Sequence, residues 1–287
     1  MNKLRPLLFA AILISVFSCE KEFSSENSGN NDNEFIVGVD CRIRKIVYTD
    51  TAGTGTGLGS IDAAINSLDI VTRVTAFDSL SNTIEFITDP VYRNDTVYIN
   101  ADEYFIADAN KKIFKMHGLV DPTDPFSLQF DVFYVYNTAG YLVTKNYFLT
   151  TNPTTPFYRV DYTYTGAGNL TRMTAVNLPG GDLRMDADLT YYNLTVPRRF
   201  IYIFPDEIFY PQFTQFLNFG SRNFNAVKDM KVRNYDPGNV VRDSIVSTFS
   251  NYSMSSDTYI LSVQMGGDDQ PSIPALAGKL SFSYKCK

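Results

Sequence analysis

The sequence of 287 residues contains no tryptophan, one histidine and three cysteines. A single histidine, His117, excludes zinc sites built from several histidines and iron sites that need two. It leaves one candidate base for a Ser-His-Asp arrangement, but no G-x-S-x-G segment accompanies it. We therefore predict no catalytic residue, no metal site and no cofactor, and we interpret His117 as a structural residue in a strand-to-turn segment.

An excess of basic residues is also missing. The chain has 25 Lys and Arg against 31 Asp and Glu, a net charge of −6. Without Lys3 and Arg5, which precede the first apolar run, 23 basic residues would remain. Nucleic-acid binding draws most of its affinity from neutralised phosphates, so this composition argues against a nucleic-acid partner. It argues equally against adhesion to anionic lipid by charge.

The one long apolar run lies at the N-terminus. Leu7 to Phe17 follows Lys3 and Arg5 and is 11 residues long, whereas a membrane-spanning helix needs roughly 20. This length is typical of a signal peptide. The run ends in Val16-Phe17-Ser18-Cys19, which resembles the bacterial lipobox. That resemblance implies cleavage before Cys19 and palmitate-type acylation of Cys19. An ordinary secretory signal with an incidental cysteine is the alternative.

These features predict three parts: a lipoprotein signal peptide (1–18), a disordered polar tether (19–37) and a single β-rich domain (38–287). The tether is rich in Ser, Asn and Gly and poor in core-forming residues. The charged pair Glu20-Lys21 behind Cys19 resembles the surface-export signal of Bacteroidota lipoproteins. This implies a lipid-anchored protein of the outer membrane on the cell surface, with the periplasmic face as the alternative.

Strand-forming residues dominate the remaining sequence. The whole chain has 22 Phe and 19 Tyr, and aromatic residues favour strands. Short runs of such residues alternate with turn signals about every ten residues, which is typical of antiparallel all-β proteins. Helical signals are few. We predict one short helix over Ser60–Leu68 and another that starts at Pro205 and ends at Gly220, with an aromatic stripe covering the core.

A repeat is visible at a spacing of 28 residues. Residues 134–142 (YVYNTAGYL) and 162–170 (YTYTGAGNL) share the pattern Y-x-Y-[D/N/T]-x-x-G-x-L, and residues 105–113 (FIADANKKI) form a degenerate copy without the glycine. The pattern predicts β-hairpins. It resembles the YD repeat of Rhs-type shells and the YD-like hairpins of Bacteroidota outer-membrane lipoproteins. We predict a mainly antiparallel all-β fold, with one elongated or partly closed sheet and one or two short helices. A β-sandwich is the alternative.

Two cysteines remain in the predicted domain. Cys41 and Cys286 fall on the apolar faces of its first and last strands by the period of two. In an oxidising compartment, such a pair favours a disulfide. Two buried free thiols are the alternative.

Four Asp-Ser/Thr segments resemble the O-glycosylation acceptor of Bacteroidota envelope proteins. Their acceptor residues are Thr51, Ser79, Thr96 and Ser244, all at predicted strand edges or in loops. Asp-Ser and Asp-Thr also open turns well, so chance matches are the alternative.

Paired carboxylates are the remaining candidates for chemistry, because glycosidases need only two at a suitable distance. The pairs are Asp102/Glu103, Asp186/Asp188, Asp206/Glu207 and Asp268/Asp269. We interpret all four as solvated surface charge.

The sequence thus predicts a membrane-anchored, non-catalytic binding or scaffold domain whose partner is an envelope protein or a glycan. A surface glycan-binding lipoprotein is the first alternative, and a glycoside hydrolase that uses an acidic pair is the second.

Overall fold

The computed structural model describes residues 41–50, 58–68, 70–78, 83–121, 127–196, 204–206, 211–256, 259–267 and 278–286. Within them the chain forms one sheet of 17 β-strands and a helix of four residues. The predicted all-β, antiparallel class is confirmed, in the single-sheet form and not as a sandwich. The elements are β1 (Cys41–Asp50), β2 (Leu58–Ile65), β3 (Val71–Asp78), β4 (Thr83–Thr88), β5 (Val91–Arg93), β6 (Thr96–Tyr98), β7 (Tyr104–Ala107), β8 (Ile113–Leu119), β9 (Gln129–Tyr136), β10 (Leu142–Leu149), β11 (Tyr158–Tyr164), β12 (Leu170–Asn177), β13 (Leu183–Thr195), α1 (Pro211–Thr214), β14 (Asn225–Asp236), β15 (Val240–Met254), β16 (Ile260–Gly267) and β17 (Gly278–Cys286).

Each strand pairs with the next strand along the chain, with one exception. The antiparallel ladders run from β5 to β17 and from β1 to β4, and β17 pairs with β1. In the described residues β4 and β5 share no ladder, so they are the two edges of the sheet. Only Asp89 and Pro90 separate them. Arg73 on β3 donates two hydrogen bonds of 2.6 Å to the Asp89 carboxylate and holds this junction.

One face of the sheet is buried in every strand except β4 and β5, whose side chains Phe86 and Tyr92 are only partly buried against it. In β9, the buried side chains of Phe130, Val132 and Tyr134 alternate with more exposed ones, as the period of two requires. A flat sheet of 17 strands would be about 80 Å wide, at roughly 4.8 Å per strand. Yet side chains from strands across the whole sheet belong to a single hydrophobic cluster. The sheet therefore curls around its own inner face.

Five of the turns share one hydrogen-bond pattern. In each five-residue loop, the first residue's N–H donates to the fifth residue's carbonyl, and the fifth N–H donates to an oxygen of the first side chain. The first residue is therefore always one with a side-chain oxygen. These first residues are Asn66, Asp108, Asn137, Thr165 and Ser255.

The three predicted repeat copies are three of these loops. Gly140 and Gly168 have φ values of +82° and +84°, and Lys111 occupies the same place in the degenerate copy with φ +59°. Because the fourth residue of each loop adopts the left-handed conformation, its N–H can donate a hydrogen bond to the carbonyl of the first residue. The predicted hairpins are therefore confirmed, and the repeat position occupied by Asp, Asn or Thr supplies the capping oxygen.

Tyrosine hydroxyls fasten the residues that follow three of these loops. Tyr136, Tyr191 and Tyr284 donate hydrogen bonds of 2.5–2.7 Å to the backbone carbonyls of Ile113, Leu170 and Ile260. Each carbonyl belongs to a fully buried residue that begins a strand. The tyrosines thus cross-brace neighbouring hairpins on the inner face.

The described residues of the connection between β13 and β14 (196, 204–206 and 211–224) pack on the inner face; we call them the connector. Its described residues Phe213, Phe216 and Leu217 are 1–3% exposed, which confirms the predicted aromatic cover over the core. It hydrogen-bonds three hairpins, twice through its backbone and once through a side chain. Ile113 N–H donates to Asn218 O, Ser221 N–H donates to Gly140 O, and Leu170 N–H donates to Asn223 Oδ1, all at 2.8 Å. Because antiparallel strands alternate in direction, the five loops and the connector lie at the same end of the sheet.

Three sequence predictions about local structure are wrong. Ser60–Leu68 is mostly strand β2 and not a helix, because its alternating side chains pair with β1 and β3. The second helix does not start at Pro205, which lies in a turn; the described helix is Pro211–Thr214. Strands β5 and β14 were not predicted at all. In the described residues no helix has the length and hydropathy that crossing a membrane requires.

We expect Gly168→Ala to destabilise the protein, whereas Gly166→Ala in the same loop should change little. At position 168 a Cβ would lie 1.9 Å from the Tyr141 hydroxyl, while at 166 it would meet nothing within 4 Å. The left-handed backbone alone costs about 1–2 kcal/mol for a residue with a side chain. Urea denaturation of both variants measures the difference. Equal midpoints for the two variants would contradict this description of the loop.

Candidate functional site

The predicted acidic pair Asp186 and Asp188 lies on the outer face of β13, and both carboxylates bind one arginine. Arg233 of β14 donates to Asp186 at 2.6 and 2.9 Å and also donates to Asp188. Arg172 adds a contact of 3.3 Å to Asp186. Hydrogen bonds to Asp186 and Asp188 raise the pKa of Arg233 above its ordinary value. The interpretation as solvated surface charge is wrong for Asp186, whose side chain is 3% exposed.

A second group of side chains follows the outer face from β5 to β8. The Tyr98 and Tyr104 rings lie 5.6 Å apart, and Tyr104 stacks on His117 at 5.0 Å with an interplanar angle of 19°. Arg93 lies 5.6 Å from the Tyr98 ring centre. These contacts follow from register, because Tyr98 pairs with Tyr104 and Tyr104 with His117. His117 is inside β8, so its predicted place in a strand-to-turn segment is wrong.

The group continues across β9 and β10. Asp131 Oδ1 lies within hydrogen-bond distance of His117 Nδ1, at 2.8 Å, and Asp131 Oδ2 forms an ion pair with Lys115 Nζ at 3.0 Å. Lys115 also lies 5.4 Å from the Phe133 ring centre, and Phe133 meets Phe148 edge-on at 5.6 Å. We call the whole group the outer row: Arg93, Tyr98, Tyr104, Lys115, His117, Asp131, Phe133 and Phe148.

The outer row combines aromatic rings with both signs of charge on the face turned away from the core. Phe133 is 37% exposed, whereas the side chains of His117 and Asp131 are only 14% and 16% exposed. Since the middle rings lie against one another, the faces of Tyr104 and His117 are covered. A ligand would therefore meet ring edges along the row and the more open phenylalanines at its end. This arrangement suits binding.

A buried carboxyl adjoins the row. Glu103, next to Tyr104, is 2% exposed, and its Oε1 has no hydrogen-bond partner in the described part of the chain. Asn100 donates to the other oxygen. Burial raises the pKa of Glu103 above its ordinary value, and Asp102 raises it further, while the Asn100 hydrogen bond and His117 lower it. The sequence placed Glu103 among surface charges; that interpretation is wrong, and the alternation with the outward-facing Tyr104 was the available signal.

The inner face holds an ion pair that sequence reasoning missed. Lys145 Nζ on β10 lies 3.2 Å from Asp206 Oδ2 in the connector, and the two side chains are 0% and 1% exposed. Tyr162 donates a hydrogen bond of 2.5 Å to Asp206 Oδ1. Asp206 was predicted to be surface charge, which is wrong. No local pattern marks this pair, because its partners are 61 residues apart.

Aromatic rings surround Lys145. Its Nζ lies 4.8 Å from the Phe204 ring centre, 5.6 Å from that of Tyr162 and 5.8 Å from that of Tyr134. Desolvation, followed by the charge of Asp206, raises the pKa of nearby Tyr158. The charged pair is therefore enclosed by ring faces and not by solvent.

The predicted disulfide partners lie on neighbouring strands. The register of β1 and β17 places Cys41 directly opposite Cys286. Leu280 and Phe282 are buried, as the period of two predicts, but Cys286 at the end of the same strand is exposed. Its predicted burial on an apolar face is therefore wrong, and the disulfide itself stays a prediction.

Two predicted glycosylation acceptors lie in strands. Thr96 is the first residue of β6, which agrees with its predicted position at the edge of a strand. Ser244 lies inside β15 opposite Arg233, so its predicted place at a strand edge or in a loop is wrong. Thr51, Ser79 and Cys19 lie outside the described residues, as do Glu207 and the pair Asp268/Asp269. Within the described ranges, no three His, Cys, Asp or Glu residues gather to hold a metal ion.

Comparison with known proteins gives a likeness of fold only. The sequence matches no family model and no curated protein. The structure is similar to the crystal structure of a porin-like protein from Bacteroides uniformis, with a TM-score of 0.57 and 9% identity over 85% of this chain and 98% of that one. A porin-like protein from Bacteroides vulgatus gives 0.50 and 13% over the same shares. The chain therefore shares the fold of these proteins.

A weaker likeness concerns the Tc holotoxin pore of Photorhabdus luminescens. Its TM-score is 0.25 at 8% identity, and it covers 73% of this chain and 13% of that one. A score this low carries no argument, so the resemblance to the YD repeat stays a prediction.

We expect Asp186→Ala to destabilise the protein by about 1.5–3 kcal/mol, since it removes the hydrogen bonds that Arg233 donates to a buried carboxylate. The matched variant Asp188→Ala removes a carboxylate whose side chain is 46% exposed, and exposed pairs contribute about 1 kcal/mol or less. Chemical denaturation of both variants measures the two values. If Asp188→Ala were the more damaging change, this assignment of roles would be wrong.

Proposed function

We propose that this protein is a lipid-anchored lipoprotein of the outer membrane and that its β domain acts by binding, without catalysis. The lipobox-like segment ending at Cys19 supports the anchor. The likeness of fold to two porin-like Bacteroides proteins supports a place in the cell envelope. The export-like pair Glu20-Lys21 supports the cell surface over the periplasmic face.

The outer row is the observation that carries the binding role. Among the described side chains it joins aromatic, cationic and anionic groups in one continuous line across β5 to β10. Aromatic residues and arginine are the residues on which binding surfaces most often depend. Among the described residues, the side chains of the inner face are mostly buried and present no comparable surface.

The hydrolase alternative has little support from the geometry. Asp186 accepts hydrogen bonds from two arginines, and Arg233 also holds Asp188. A general acid or a nucleophile needs a carboxyl oxygen free to reach the substrate. The acidic pair therefore serves as a structural ion-pair cluster.

Glycan capture is the second candidate, favoured by the open end of the outer row. Phe133 is 37% exposed and its neighbour Phe148 shares the same face, so ring surface is available for the apolar side of a sugar. The covered faces of Tyr104 and His117 restrict such stacking to this end.

We expect Cys19→Ser to move the protein from the detergent-rich to the aqueous phase in Triton X-114 separation of whole cells. The reason is that acyl chains contribute about 0.8 kcal/mol for each buried methylene, and the variant cannot receive them. Ser18→Ala, which keeps a small residue before the cysteine, is the matched control and should stay in the detergent phase. Wild-type protein in the aqueous phase would refute the anchor.

A photo-crosslinking amino acid at position 133, in the outer row, should capture the binding partner in intact cells. The same group at Phe157, which is also 37% exposed but lies before β11, is the matched control and should capture none. A periodate-sensitive adduct would identify a glycan, and a protease-sensitive one an envelope protein. Identical adducts at both positions, or none at 133, would remove the outer row as the binding surface.

A further inference from the structure

We propose that Lys145 and Asp206 form a spontaneous intramolecular isopeptide bond that fastens the connector to the sheet. Lys145 Nζ lies 3.2 Å from Asp206 Oδ2, within reach of the carboxyl group. Among the described residues, this is the one lysine–carboxylate pair in which both side chains are essentially without solvent exposure. The inference stands independently of the proposed binding function.

The reaction needs the neutral forms of both groups. An ammonium and a carboxylate do not condense, whereas an amine and a carboxylic acid do, and one proton transfer converts the first pair into the second. Charges taken out of water are costly in an apolar environment. The side chains of Lys145 and Asp206 are 0% and 1% exposed, so water stabilises neither charge.

Tyr162 completes the arrangement as a positioning residue. Its hydroxyl donates a 2.5 Å hydrogen bond to Asp206 Oδ1, the oxygen not facing the amine. A donor there draws electron density from the carboxyl carbon and stabilises the oxygen as negative charge develops on it. The amine therefore approaches a carbon that is already polarised.

The bonds and protons balance without a further reactant. The Lys145 Nζ lone pair attacks Asp206 Cγ, and a tetrahedral intermediate forms with its negative charge on Oδ1. The bond from Cγ to Oδ2 then breaks, and Oδ2 leaves as water with the carboxyl proton and one amine proton. The product is an amide between Nζ and Cγ; no oxidation or reduction takes place.

An exposed pair in the same sheet provides the contrast. Lys45 Nζ lies 2.6 Å from Asp62 Oδ2, closer than in the buried pair, but these side chains are 38% and 42% exposed. Water stabilises both charges there, so we expect no condensation. Proximity alone does not separate the two pairs; burial does.

Peptide mapping of the full-length protein tests the proposal. Trypsin does not cleave after an acylated lysine, so the linked protein should give a branched peptide made of residues 116–159 and 200–222, lighter than their sum by one water. Neither segment contains cysteine, so a disulfide cannot join them. Tandem mass spectrometry should place the branch at Lys145 and Asp206.

Variants fix the two partners. Lys145→Arg and Asp206→Ala should each abolish the branched peptide, while Lys45→Arg should leave it unchanged. Tyr162→Phe should lower the linked fraction, and an undiminished fraction would remove Tyr162 from the reaction. The decisive result does not depend on a variant that folds. If wild-type protein yields residues 116–145, 146–159 and 200–222 as separate peptides, the bond does not exist and the pair is an ordinary ion pair.

Discussion

The hydrogen bonds between the connector and the hairpin loops are the interactions on which the rest of the structure depends. A single sheet has one apolar face to bury, and without a second layer that face would meet water. The connector supplies the layer, but its own backbone groups must then be paired. Asn169, the last residue of a loop, does much of this, since its side-chain oxygen accepts the N–H groups of Phe224 and Asn225 at 2.8 Å. Gly220 allows the connector to approach the loop closely, because a Cβ there would lie 2.2 Å from Gly140 O. The neighbouring Ser221 N–H can therefore donate its hydrogen bond to Gly140 O.

Covering the inner face determines where function can lie. Among the described residues, the side chains under the connector are mostly aromatic or aliphatic and almost without solvent exposure. The outer face is different. Its cross-strand rows follow the register, and their chemistry changes from aromatic at β5–β10 to ionic at β11–β15, where Asp186, Asp188 and Arg233 lie. One sheet thus presents a surface suited to binding beside a surface stabilised by charge pairs.

The sequence predicted most strands because aromatic and β-branched residues alternate in them with period two. β14 was missed because Lys228, Asp229, Lys231 and Arg233 interrupt its buried residues. Of these, Asp229 and Arg233 bond to side chains of β13, which no local pattern reveals. The segment at Ser60 was mistaken for a helix because its small residues fit either period. The outer row could have been found only with the register known, since Tyr98, His117 and Phe148 come from three hairpins. The loops were predictable, because their capping oxygens are local.

The buried Lys145–Asp206 pair raises a question of energetics that the fold alone does not answer. Replacing a buried ion pair with apolar residues is often neutral or stabilising, so stability does not explain why two charges lie among rings. Holding the connector in register is one reason to keep them. Condensation supplies a stronger one, because it removes both charges and leaves an amide, whose burial costs far less than that of separate ions. The same step would make the attachment of the connector to the sheet covalent.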